Sequence, residues 1–234
     1  EDYEMKKKKE KVKTFTLPDL STLTLKQCSI LMVIAVICFL ALKLKFLPYI
    51  LTACLFTVPM VAGLVILNKD TAKKLIRLPK GRDFLYGFGF VIPSAVITMI
   101  VTVLLGVLGV IEQPKSNVIF EKLANDFFTT LAGTFIQLFG EEMITLIVFL
   151  FTLKVWEHFF SSTKGGIIAG FFVSAVVFGA IHYPTYLSWT HVLLSISVTR
   201  LLYNFVFLRT KNLTASFITH LTYDYILFAI GMMS

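Results

Sequence analysis

The sequence predicts an all-α, polytopic bundle of membrane-spanning helices, and three observations predict it. Of the 234 residues, 56% are hydrophobic, above the roughly 45–50% of ordinary soluble domains. Several apolar stretches reach the about 20 residues that a helix needs to cross hydrocarbon. The 22 Lys and Arg residues crowd into alternate connecting segments, which is the pattern of a positive-inside topology. So much of the chain lies in apolar runs that no separate soluble domain has room to fold. The expected organisation is a basic cytoplasmic segment over residues 1–27, then a single membrane-embedded helical domain over 28–234.

About seven spans are expected, over 28–43, 47–67, 84–111, 127–153, 165–183, 189–207 and 213–232. Lipid offers the backbone no hydrogen bonds, so each span should be helical. The first is short, and Lys43 and Lys45 are placed to snorkel at its end. Pro93 should kink the third. Residues 68–83, with basic groups around Leu75, Ile76 and Leu78, read as a solvated loop anchoring two spans; an interfacial amphipathic helix is the alternative. Cys28, Cys38 and Cys54 lie in or beside the first two runs and read as small packing residues.

Charge placement sets the orientation. With the N-terminus in the cytoplasm, the inner segments hold most of the lysines and arginines, from Lys6 to Lys26, Lys69 to Arg82, Lys154, Lys164, Arg209 and Lys211. The outer segments hold only Lys43, Lys45, Lys115 and Lys122. Seven spans leave the C-terminus outside; an eighth, re-entrant segment would reverse that side alone. The net charge of +8 then suits contact between the N-terminal lysines and anionic lipid headgroups; no nucleic-acid partner is expected.

The ionisable groups inside the spans carry the functional signal. Glu141 and Glu142 stand together in the fourth span, although a carboxylate near the bilayer centre costs roughly 2.5–3.5 kcal/mol on insertion scales. The fifth span ends in Phe178-Gly-Ala-Ile-His182, the sixth carries Arg200 and Asn204, and the seventh carries His220-Leu-Thr-Tyr-Asp224. Residues four apart share a helix face, so Phe178 projects with His182, and His220 with Asp224. Gly166, Gly170 and Ser174 allow another helix to approach the fifth span closely, through packing alone or so as to draw it against the acidic helix.

Such groups suit hydrolysis. A carboxylate and an imidazole sharing one water can deprotonate it for attack on an amide carbonyl. A second histidine can donate to the developing oxyanion, and a carboxylate four residues on can hold that histidine in its tautomer. The same Glu, His and Asp set is also a reasonable zinc shell, although no His-Glu-x-x-His helix and no nearby cysteine accompanies it. No cofactor is the leading expectation, and zinc the alternative.

The ordered set Glu141-Glu142, Phe178-x-x-x-His182 and His220-x-x-x-Asp224 resembles the CPBP family, the CAAX-protease and bacteriocin-processing (Abi) membrane proteins. The run Arg209 to His220 also resembles the family's stretch before its last motif, and the likeness covers about 125–232, the expected catalytic core. The resemblance implies an intramembrane glutamic endopeptidase. Glu141 would activate water with help from His182, His220 and Asp224 would stabilise or orient, and Glu142 would support; Phe178, Arg200 and Asn204 are the further candidates. Two positions depart from the pattern. Leu146 stands where the first motif usually ends in arginine, and Asp224 where the last often ends in asparagine. Without that arginine, Glu142 lacks its usual counter-ion, and Arg200 from the sixth span is the candidate replacement; the alternative is an Arg200 that snorkels to the interface. For Asp224 the expected role is to orient His220.

The leading expectation is therefore a multi-pass peptidase of a bacterial plasma membrane. Its substrate would be a peptide or membrane protein, such as a bacteriocin or pheromone precursor, or its role self-immunity. The alternatives are a weakly active or inactive relative serving as a membrane scaffold or regulator, a zinc-dependent form of the protease, and a proton-coupled carrier. The family's prenyl endopeptidases take substrate from the cytosolic side, whereas the order of spans here sets His182 toward the outside.

Overall fold

The computed structural model describes residues 22–42, 44, 46–110 and 119–233. Most of the expected basic N-terminal segment, with its lipid contact, lies outside these residues, as do Lys43 and Lys45. The described chain is an all-α bundle. Its helices are α1 (Leu25–Ala41), α2 (Tyr49–Leu67), α3 (Lys69–Leu75), α4 (Gly81–Gly89), α5 (Val91–Val107), α6 (Ile119–Asn125), α7 (Phe127–Phe160), α8 (Thr163–Ile181), α9 (Tyr183–Tyr186), α10 (Trp189–His191), α11 (Ser197–Thr210) and α12 (Leu213–Gly231). Among the described residues, six stretches are long and apolar enough to cross a membrane: Tyr49–Leu67, Gly81–Val107, Phe127–Phe160, Thr163–Tyr186, Trp189–Thr210 and Leu213–Gly231. The expected first span is the 17-residue α1, about 25 Å long at 1.5 Å per residue.

The helix starts follow from side-chain caps. Thr24, Asn68, Asp126, Ser162 and Asn212 each accept a hydrogen bond from a first-turn amide of α1, α3, α7, α8 and α12. Such a bond satisfies a donor that the helix leaves unpaired. Three boundaries differ from the sequence reading. Residues 69–75 are helical rather than a loop, and Leu75 is fully buried, because its apolar side chains join the main core instead of water. The third span breaks at Phe90, between α4 and α5, three residues before Pro93; the proline has no N–H to continue the ladder backward. The sixth span holds a π-helical turn, Val192–Ile196, ahead of α11, a feature common near functional sites.

Helix α7 is the centre of the bundle. Every residue from Gly140 to Leu150 is buried, the pattern of a helix enclosed on all sides. Glycines bring its neighbours close. A Cβ at Gly140 would lie 2.4 Å from the Thr57 hydroxyl of α2. On α8, a Cβ at Gly166 or Gly170 would lie 2.9 Å from the carbonyls of Leu153 or Phe149. Two members of the small-residue stripe therefore seat α8 on the acidic helix. The third, Ser174, turns instead toward Asn204 of α11. Cys28 and Cys38 are buried packing residues and Cys54 is half-buried, all free thiols. Large apolar side chains such as Ile92, Met99, Val103 and Val107 on α5 face outward, as a surface solvated by lipid requires.

The two ends of the bundle differ in charge. At one end, Gln27 at the start of α1 bonds the Leu67 carbonyl at the end of α2. Arg77 there joins Asp83 and the Thr210 carbonyl, and Asn212 also bonds Asp83. Lys26, Lys69, Lys73, Lys74, Arg77, Lys80, Arg82, Lys154, Lys164, Arg209 and Lys211 belong to this end. The opposite end comprises the α1–α2 connection, α6 and α9, and among the described residues its only Lys or Arg is Lys122.

Candidate active site

Adjacent residues on a helix point about 100° apart, so Glu141 and Glu142 leave α7 in different directions and enter different surroundings. Glu142 is wholly buried. Both of its oxygens receive the Arg200 guanidinium from α11, Oε1 from Nη1 and Oε2 from Nη2 at 2.9 Å. Arg200 is itself only 1% exposed, so this is a pair that lipid and water do not reach, rather than an arginine snorkelling to the interface.

Arg200 is held in turn. Its Nε donates to Asn204 Oδ1 at 3.2 Å, one helical turn on. Asn204 spends its two amide hydrogens on the Phe171 carbonyl and the Ser174 hydroxyl, each at 2.9 Å. The guanidinium carbon also lies 4.8 Å from the Phe178 ring centre, within cation–π range. Phe178 thus touches both sides of the site, because its ring also packs on His182 and His220.

His220 of α12 completes the buried cluster. Its Nδ1 is 2.9 Å from Glu142 Oε1; the carboxylate can only accept, so Nδ1 carries the proton and donates. Its Nε2 then points at Glu141 Oε2, 3.8 Å away, and at Asp224 Oδ2, 3.6 Å away. The bond that fixes His220 therefore comes from Glu142. Asp224, the residue expected to orient this ring, sits on its other nitrogen beyond hydrogen-bond length.

Glu141 faces open space. His182 follows the last residue of α8, and its Nδ1 is 2.7 Å from the Phe178 carbonyl, one of the acceptors that a helix end leaves unpaired. A carbonyl accepts only, so Nδ1 is protonated and Nε2 presents a lone pair in the neutral ring. That Nε2 lies 3.7 Å from Glu141 Oε2. The separation is too long for a direct bond and suits one small molecule bonded to both atoms.

The other Glu141 oxygen is tethered by groups that the sequence reading missed. Gln137 Nε2 donates to Oε1 at 2.9 Å. Tyr49 of α2 donates to Gln137 Oε1 at 3.0 Å, and Thr134 also bonds the Tyr49 hydroxyl. Gln137 was findable, being one turn before Glu141 on the same face. Tyr49 was not, because nothing local ties it to a residue 88 positions away.

A cavity of about 640 Å³ opens on Glu141 and His182. Its walls are apolar toward Phe39, Leu42, Leu47 and Phe56, and polar toward Tyr49, Gln137 and Lys122. Apolar walls with a few convergent polar groups are the usual make-up of a ligand site. Among the described residues, no three His, Cys, Asp or Glu side chains form a group shaped to hold a metal ion. His158 is exposed and His191 half-buried, neither of them in the cluster.

Residues 123–226 match the family model for type II CAAX prenyl endopeptidase Rce1-like proteins. No curated protein and no solved structure matches the chain.

Proposed function

We propose, from the match of residues 123–226 to the Rce1-like family of type II CAAX prenyl endopeptidases, that the chain is a CPBP-type intramembrane glutamic endopeptidase acting without a metal. The observation that carries this reading is the 3.7 Å gap between Glu141 Oε2 and the lone pair of His182 Nε2, open to one cavity. A water there donates one hydrogen to each atom and turns its own lone pair toward the substrate. Glu141 takes the proton as the water oxygen bonds the amide carbon. His220 Nε2–H, in the doubly protonated ring that Glu142 holds through Nδ1, donates to the oxyanion. When the C–N bond breaks, the Glu141 proton passes to the leaving amine, so the carboxylate is regenerated and one water is consumed.

Glu142 serves as the anchor in this scheme, with its charge matched by Arg200 where relatives use an arginine at the position of Leu146. The largely apolar cavity suits a membrane-associated peptide, such as a bacteriocin or pheromone precursor, at a bacterial plasma membrane with the N-terminus cytoplasmic.

Purified protein in detergent tests the reading against a set of quenched-fluorescent apolar peptides. Cleavage should fall at least a hundredfold in Glu141→Gln and in His182→Ala and persist in chelator. Activity lost to chelator and restored by zinc would replace the mechanism with the metal-dependent one. A protein that cleaves none of the peptides, and whose Glu141→Gln variant behaves as wild type in cells, would be the scaffold.

A further inference from the structure

We propose that the catalytic cavity opens on the extracytoplasmic face of the membrane, and that its substrate is an apolar peptide segment presented from that face. The substrate half rests on the peptidase reading above; the orientation does not.

Two independent features place the mouth. The cavity is lined by Leu44 and Leu47 from the α1–α2 connection, Lys122 from α6, and Pro184 and Thr185 from α9. All of these belong to one end of the bundle, and Leu44, Lys122, Pro184 and Thr185 are exposed there. The lysines and arginines gather at the other end, where Arg77, Asp83, Asn212 and the Thr210 carbonyl tie the connections together. Basic connections of this length are retained in the cytoplasm. The mouth therefore faces away from the cytoplasm, with Glu141 reached from outside through the cavity.

The same end closes the cytoplasmic route. Between Glu141 and the basic loops, α7 is enclosed from Met143 to Leu150 by buried side chains, including Phe56, Met60 and Leu64 of α2. A peptide delivered from the cytosol would have to displace that core. One arriving from outside, or leaving an export route in the membrane, meets Lys122 and Tyr49 first and then the apolar wall.

Single-cysteine variants report the side without needing activity. In a background with Cys28, Cys38 and Cys54 replaced by alanine, T185C places a thiol at the mouth and K164C one at the basic end. Intact cells are treated with a membrane-impermeant maleimide, before and after permeabilisation. T185C should label in intact cells, and K164C only after permeabilisation; the opposite pattern overturns the orientation. For the substrate half, right-side-out and inside-out vesicles receive an external quenched-fluorescent apolar peptide. Cleavage by right-side-out vesicles alone is expected. Cleavage confined to inside-out vesicles sinks the assigned substrate face. No cleavage by either kind or in detergent sinks the peptidase reading, and the labelling result still decides the orientation.

Discussion

Arg200 and Glu142 stand 58 residues apart in the chain and meet as a two-bonded, buried pair between α11 and α7. Leu146, one turn beyond Glu142 on the same helix, is also buried and uncharged, so the counter-charge of Glu142 comes from another helix. That origin bears on what holds the bundle together. A counter-ion four residues away only neutralises, whereas Arg200 also fixes α11 against α7 and carries Asn204 with its bonds to α8.

Removing one partner of such a pair leaves a buried, uncompensated charge, which costs about 3–5 kcal/mol. Arg200→Ala should therefore lower the melting temperature in detergent sharply and abolish turnover. The swap Arg200→Glu with Glu142→Arg should recover much of the melting temperature and little activity, because His220 Nδ1 loses its acceptor. A wild-type melting curve for Arg200→Ala would refute the pairing's structural weight.

Gln137 lines the cavity and tethers the Glu141 carboxylate through its amide. Gln137→Leu frees the carboxylate to rotate away from His182, so kcat should fall by about tenfold while KM holds, since misorientation of a base costs rate more than binding. Tyr49→Phe, one bond further out, should produce a smaller drop in the same direction. Equal changes in kcat and KM for both variants would mean that the tether shapes the cavity instead.

The fold was legible because hydropathy reports spans directly, and lipid leaves the backbone no choice but helix. Glu141, Glu142, His182 and His220 were legible because charge at membrane depth is costly and therefore conspicuous. Their division of labour was not. Which carboxylate holds His220 depends on how α12 is rotated against α7, and periodicity along one helix says nothing of that. The buried α3 was hidden by its lysines: Lys69, Lys73 and Lys74 suggest a solvated loop, while Thr71, Ala72 and Leu75 on the opposite face are buried. Cavity walls from the α1–α2 connection were hidden for the same reason as Tyr49, being distant in sequence.

Gly170 tests the approach of α8 to the acidic helix. A Cβ there would meet the Phe149 carbonyl at 2.9 Å and the Phe149 ring at 3.0 Å, and backbone cannot give way as a flexible side chain can. Gly170→Val should force the helices apart at a cost of about 1–3 kcal/mol. It should also displace His182, which ends the same helix, so thermal stability and kcat should fall together. Gly106→Val, where no atom lies within 4 Å, serves as the control and should leave both unchanged.

Asp224 offers a sharper test of roles. Its carboxylate lies 3.6 Å from the His220 nitrogen that faces Glu141, where, under the proposed mechanism, it would compete with the substrate oxyanion for the Nε2–H. Asp224→Asn removes the competing charge, keeps the shape and adds a donor. Activity should therefore hold within a few-fold of wild type, or rise. Asp224→Ala should lose at least tenfold, because it leaves no polar group of α12 beside the His220 nitrogen that faces Glu141. If Asp224→Asn is as inactive as Glu141→Gln, then the aspartate's charge is itself required, and His220 rather than Glu141 becomes the group whose proton balance the reaction turns on.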